Sequence, residues 1–207
     1  KGFEAIPELL SSVGTDVVFA MLGGSNVSWV AQGVRDERFR LVRTCHEDTS
    51  VGAASGYSRA LGTVGVASIS PGPGFVNGLN ALRQAAVSHV PVLLITGESP
   101  TQKKTPQQVD QKGLVGIVGA GFHYVKDPAR LESTFYEAFE ATLRDSLPQV
   151  LSIGDGMPIA EVPPLGATHN SPVPQAPASE QVSLAVDTLQ LAKSPAIVAG
   201  WGAVLSG

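Results

Sequence analysis

The sequence has one cysteine in 207 residues, Cys45, so no disulfide can form within the chain. A fold without covalent staples suits a reducing compartment, and the cytoplasm is the expected location. Charge of one sign is also scarce: 14 basic residues stand against 18 acidic ones, a formal net charge of −4 with no Lys/Arg block. Nucleic-acid binding needs a cationic footprint, so DNA and RNA are not expected partners. No apolar run approaches the ~18–20 residues that span a bilayer, and Lys1-Gly2-Phe3-Glu4 does not open a secretory leader, so no membrane partner is expected. An initiator Met is missing, which suggests a piece of something longer. Charged residues make up only 15% of the chain and apolar residues 43%. That balance excludes a disordered polyelectrolyte, because enough apolar surface is available to offset ordering entropy.

What is present is a rhythm. Short β-branched runs alternate with longer helical stretches, each bounded by Gly, Pro, Ser or Asn, which is the pattern of βαβ units around a parallel sheet. The fold class is α/β: a doubly wound, six-stranded parallel sheet flanked by helices, plus the start of a second α/β domain. Expected strands are Asp16–Met21, Phe39–Thr44, Gly65–Ser70, Val90–Thr96, His123–Val125 and Gln149–Ile153. Expected helices are Glu47–Leu61, Phe75–Ser88 and Pro128–Ser146, the last burying Leu131, Phe135, Ala138, Phe139 and Leu143 on one face. Six prolines between Pro158 and Pro177 then break all periodicity. The organisation is therefore read as domain 1–157, Pro-rich linker 158–178 and the beginning of a truncated domain 179–207. In that last part a helix Ser179–Ala192, capped at Ser179, precedes a strand Ala196–Ala199. One helix and one strand cannot bury both their faces, so the natural protein is expected to continue past Gly207.

Glu47 opens a helix directly after a strand, at the sheet edge where α/β proteins hold ligands. An acid there also simply complements the helix dipole. The helix it begins is rich in Gly and Ala, which permits close approach of another backbone or a flat ligand. The stretch Ser70-Pro71-Gly72-Pro73-Gly74-Phe75-Val76-Asn77-Gly78 links a buried strand to a helix with G-x-G-x-x-x-G spacing, and Glu98 follows the next strand. A Rossmann nucleotide site of a dehydrogenase is thus one reading. Against it, Pro71 and Pro73 have no N–H with which to cradle a phosphate. No G-x-S-x-G elbow marks a serine hydrolase.

Cys45-His46-Glu47, Ala54-x-Gly56-Tyr57-x-Arg59, Gly62-x-x-Gly65-Val66, Pro71-Gly72-Pro73-Gly74-x-x-Asn77 and Pro91-Val92-Leu93-Leu94-Ile95-Thr96-Gly97 occur in that order. The set resembles the N-terminal, pyrimidine-binding domain of thiamine-diphosphate-dependent enzymes of the acetolactate synthase and 2-oxo acid decarboxylase group, from about Phe3 to Ile159. The resemblance implies a carboligase or decarboxylase acting on a 2-oxo acid such as pyruvate. It implies that Glu47 is catalytic, hydrogen-bonding N1′ of the cofactor's aminopyrimidine and promoting the tautomer that removes the C2 proton. Gly23, Gly24 and Ser25 match the loop after the first strand, Ser70, Gly74 and Asn77 the loop near the pyrimidine, and Gln107 a glutamine lining the site. Two matches are imperfect: Leu22-Gly23-Gly24 replaces the usual Pro-Gly, and Pro106-Gln107-Gln108 the usual Phe-Gln-Glu. The resemblance further implies thiamine diphosphate with Mg²⁺ bound through a C-terminal domain outside this chain, FAD in some members, and a homodimer or homotetramer with its active site between subunits. A non-catalytic module on the same fold is the other alternative.

Several residues are expected to be structural. His46 is read as a neighbour of Glu47, and Cys45 as a buried small apolar group. His89, His123 and His169 lack ligand spacing, so no metal site is expected. Gly154-Asp155-Gly156 mimics the opening of the family's magnesium-diphosphate motif, yet it ends a strand ahead of prolines, and Asn170 follows too closely to complete the motif.

Overall fold

The computed structural model describes residues 1–98, 105, 107–166, 176–200 and 202–203. They fall into two compact units, Lys1–Ser171 and Pro172–Gly207. In the first, helices and strands alternate as α1 (Gly2–Ser12), β1 (Val17–Ala20), α2 (Val27–Arg35), β2 (Arg40–Arg43), α3 (Glu47–Leu61) and β3 (Gly65–Ile69). They continue as α4 (Pro73–Asn77), α5 (Leu79–Val87), β4 (Val92–Gly97), α6 (Gln111–Val118), β5 (Gly121–Val125), α7 (Leu131–Asp145) and β6 (Gln149–Ile153). The strands form one sheet in the order β2-β1-β3-β4-β6-β5, and every pair is parallel.

Alternation along each strand sorts side chains between two cores, since successive residues point to opposite faces. Val18, Val66, Leu93, Ile95 and Leu151 join Ile6 and Leu9 of α1, Trp29 of α2 and Phe135 of α7 on one face. Val17, Phe19, Ala67, Leu94 and Val150 join Val51 of α3, Phe75 of α4, Leu82 of α5 and Val115 of α6 on the other. Helices on both faces make the sheet doubly wound, as the sequence predicts. Strands β1, β3, β4 and β6 are buried throughout, the pattern of a parallel sheet covered on both sides. The edge strand β2 instead presents Arg40 and Arg43 at its exposed ends.

Glu47–Leu61 and Gln149–Ile153 match the sequence reading residue for residue. The stretch Phe75–Ser88 is two helices rather than one, because the chain breaks at Gly78. A Cβ there would stand 2.7 Å from Ile69 Cδ1, so the junction lies against β3 more closely than a side chain permits. Pro128–Ser146 begins as a single 3₁₀ turn, Pro128–Arg130, before α7. Helices α1, α2 and α6 were not foreseen; α1 runs through Pro7, normally a helix breaker.

Past β6 the 3₁₀ turn Met157–Ile159 follows, Val162 and Leu165 pack against the α7 side of the core, and the Gly166 N–H donates to Glu132 Oε1 at 3.0 Å. Residues 167–175 of the expected linker, with His169 and Asn170, lie outside the described residues. In the second unit the helix is α8 (Ser179–Leu191), flanked by Ala178, so Ser179 is its first residue and not its cap. Ala196–Ala199 is not a strand. A strand exists through its ladder, and the described residues of this unit supply no neighbour to pair with it.

Candidate functional site

From β1 the chain passes to β2 on one side, then crosses back to β3 on the other. The loops after β1 and β3 therefore part at a topological switch point, where open α/β sheets bind ligands. Glu47 reaches this edge from β2. The Thr44 N–H donates to Ala20 O at 3.1 Å, ending the β2 ladder, and the Thr44 hydroxyl lies 2.6 Å from that of the fully buried Ser50. His46 caps α3, its Nδ1 accepting from the Asp48 N–H at 3.3 Å. Cys45, expected to be buried, is exposed. It lies in the turn leaving an edge strand, which no neighbouring strand covers.

The Glu47 side chain is only 8% exposed. Its Oε2 accepts one hydrogen bond, from Asn77 Nδ2 at 3.2 Å, and among the described residues no cation pairs with it. A Cβ at Gly74 would stand 2.8 Å from Glu47 Oε1 and 3.4 Å from Ser70 Cβ. The structure thus brings Glu47, Gly74, Asn77 and Ser70 together. It also bears on the phosphate reading: a carboxylate already faces the first turn of α4, and a phosphate there would meet like charge.

Gly23 belongs to the same cluster, since a Cβ on it would overlap the Ser70 hydroxyl. Its loop is shaped by Asn26, which the sequence reading missed. Asn26 is 1% exposed; its Oδ1 accepts from the Gly23 N–H at 2.8 Å, while Nδ2 donates to Met21 O at 3.1 Å and Ser68 Oγ at 3.0 Å. Ser68 in turn donates to Ile95 O at 2.9 Å, so the network crosses three strands. The available signal was an Asn closing a Gly-Gly-Ser turn.

Gly24, Ser25 and Gln107 lie in a neighbouring cleft of about 290 Å³ at the carboxyl ends of β1, β3, β4 and β6, together with Pro71, Glu98 and Asp155. Glu47 and Asn77 are not among its lining residues. The Ser25 hydroxyl is buried without a partner among the described residues. Gly72 takes φ +71, and a Cβ on it would come 2.9 Å from Gln107 O; only glycine combines that backbone with that approach. Glu98 closes the far side: its Oε2 accepts from the Asp155 N–H at 3.1 Å, and it accepts from the Tyr124 phenol, whose pKa is pushed up to about 12 by burial and then by Glu98. Gly154–Gly156 thus line this cleft. Behind it Gln111, also unforeseen, donates to Gly97 O and accepts from Ser152 Oγ, both at 2.9 Å.

A parallel, doubly wound domain with a sparsely bonded carboxylate at its switch point is a cofactor-binding domain of the open α/β class. Residues 1–114 match the family described as "Thiamine pyrophosphate enzyme, N-terminal TPP binding domain", and the chain belongs to that family. The chain is similar to "Probable acetolactate synthase" of Mycobacterium bovis, 29% identical over 218 residues that cover 95% of this chain and 38% of that protein. It is 28% identical to "Probable acetolactate synthase large subunit" of Methanocaldococcus jannaschii, over 100% of this chain and 37% of that protein. Over a shorter span, 55% of this chain and 18% of the relative, it is 38% identical to "2-hydroxyacyl-CoA lyase 2" of Mus musculus. The chain therefore spans less than two fifths of the length of these relatives. The Rossmann alternative is not favoured.

Proposed function

We propose that the protein to which this chain belongs is a thiamine-diphosphate-dependent carboligase or decarboxylase acting on a 2-oxo acid such as pyruvate, similar to acetolactate synthase. The observation that carries this reading is the Glu47 carboxylate: buried, holding a single donor among the described residues, and flanked by Gly74, which adds no side chain to the space beside it. A carboxylate has about four acceptor positions on its two oxygens, so Glu47 has capacity left for a ring N–H. That fits an aminopyrimidine in its N1′-protonated or imino form, in which N1′ carries the hydrogen. When bound, thiamine diphosphate supplies an acidic thiazolium C2–H and an electron sink for bond cleavage next to a carbonyl.

Glu47 would hold a proton at N1′ of the aminopyrimidine, and the Asn77 amide, bonded to Oε2, leaves Oε1 the freer oxygen for that role. Gly23, Ser70 and Gly74 keep the surrounding loops close enough to shape the space, while Gly24, Ser25 and Gln107 face the substrate from the adjoining cleft. The same reading assigns the diphosphate and its Mg²⁺ to a C-terminal domain outside this chain. It leaves FAD open in the central domain begun after the linker 158–178, completes the site between two copies of a cytoplasmic homodimer or homotetramer, and involves no metal ligand from this chain.

The test is Glu47→Gln in the full-length protein. C2 hydrogen–deuterium exchange of bound cofactor should slow by about 10² or more, the usual worth of a positioned acid–base group; an unchanged rate would overturn the proposal. A second reading, cleavage of a 2-hydroxyacyl thioester, draws on the higher identity to the lyase relative over the span they share. Turnover of a 2-oxo acid against turnover of a 2-hydroxyacyl-CoA separates the two.

A further inference from the structure

The first turn of α3 carries two consecutive carboxylates, and the function proposed above uses only Glu47. Asp48 points elsewhere: its Oδ1 accepts from the Ala81 N–H at 2.8 Å. Ala81 is the third residue of α5, and the first backbone bond there is from the Leu82 N–H to Gly78 O at 3.1 Å. The Ala81 N–H is therefore one of the donors that a helix start leaves unsatisfied. The flanking residue Gly78 has no side chain to cap it, so Asp48 caps α5 from the neighbouring helix. Asn77, the donor to Glu47, is the last residue of α4, and between it and α5 lies Gly78, where a Cβ would stand 2.7 Å from Ile69 Cδ1 and 3.4 Å from Val51 Cγ2. The α4–α5 junction is thus seated against β3 and α3 by packing and held there by two parallel rungs, Asn77 to Glu47 and Ala81 to Asp48.

We propose that Asp48 is a positioning residue: by capping α5 it fixes the α4–α5 junction and so holds the Asn77 amide on Glu47. The inference rests on the role proposed for Glu47. Asp48 itself touches neither cofactor nor substrate. Its geometry requires an acceptor oxygen at that position and no net charge, so asparagine is the conservative replacement and alanine the disruptive one.

The experiment compares Asp48→Ala, Asp48→Asn and Ala81→Pro in the full-length protein. Without cofactor, Asp48→Ala should raise amide hydrogen exchange at Ala81 by about tenfold, the worth of one hydrogen bond to a charged group. With thiamine diphosphate and Mg²⁺ it should slow C2 exchange by about tenfold while KM for the substrate stays constant. Asp48→Asn should restore both within about threefold, since its carbonyl accepts the same N–H. Ala81→Pro keeps Asp48 but deletes the donor, at a first-turn site that tolerates proline, and should reproduce the C2 loss; it decides the matter if Asp48→Ala does not fold. In an Asn77→Ala background, Asp48→Ala should add nothing to that loss. Normal C2 exchange in Asp48→Ala or Ala81→Pro, or losses that add, overturns the inference wherever Glu47→Gln is slow. If Glu47→Gln is itself normal, the functional reading fails instead, and the Ala81 exchange still reports whether the cap exists.

Discussion

Gly74 stands so near the Glu47 carboxylate that a Cβ at this position would lie 2.8 Å from Oε1. Its backbone has no positive φ, so alanine is refused by the neighbour and not by the main chain. Gly74→Ala in the full-length protein should push the carboxylate aside, weaken thiamine diphosphate binding by about tenfold or more, and slow C2 exchange by up to ~10², as misplaced catalytic groups do. Isothermal titration and exchange measurements check both, and wild-type affinity would show that Oε1 lies off the cofactor.

Asn26→Ala should act on stability. It strands the part-buried N–H of Gly23 and removes the partner of Met21 O and of the buried Ser68 Oγ, and leaving buried groups unpaired costs roughly 1–3 kcal/mol. The urea midpoint should fall with an unchanged slope. Asn26→Asp keeps the acceptor for Gly23 but loses both donors, so it should fall short of rescue.

Tyr124 provides a pH signature. Its folded pKa, about 12, lies above the ordinary phenol value near 10. Between those values the native state binds more protons than the unfolded one, so its stabilising contribution is complete below pH 10 and is lost as pH rises toward 12. Phenolate absorbance of the wild type against Tyr124→Phe should show one tyrosine with a midpoint near pH 12, and the variant should lose stability less steeply over that range.

The start of α3 was legible because a β-branched run meets a polar turn and then a long small-residue helix, and Glu47 sits where those signals change. The strand β6 was legible for a related reason, being short, apolar and bounded by Pro148 and Gly154. The break at Gly78 was not, because it answers to Ile69 on another element, and periodicity within one segment carries no information about its neighbour. Gln111 and Asn26 escaped for the same cause: their worth lies in bonds to Gly97, Ser152 and Ser68, distant in sequence. Cys45 misled because its residue type favours burial while its place, the exit of an edge strand, does not. Ala196–Ala199 has the composition of a strand, and pairing rather than composition makes one.

The arginines that bracket β2 have a bearing on solubility. A sheet that ends in bare main chain invites another molecule to extend it, but any molecule docking along Arg40–Arg43 would have to dehydrate two guanidinium groups and find counter-charge for each. Stacking of molecules into fibrils through that flank is thereby discouraged, and replacing both arginines with valine would convert a guarded margin into a sticky one.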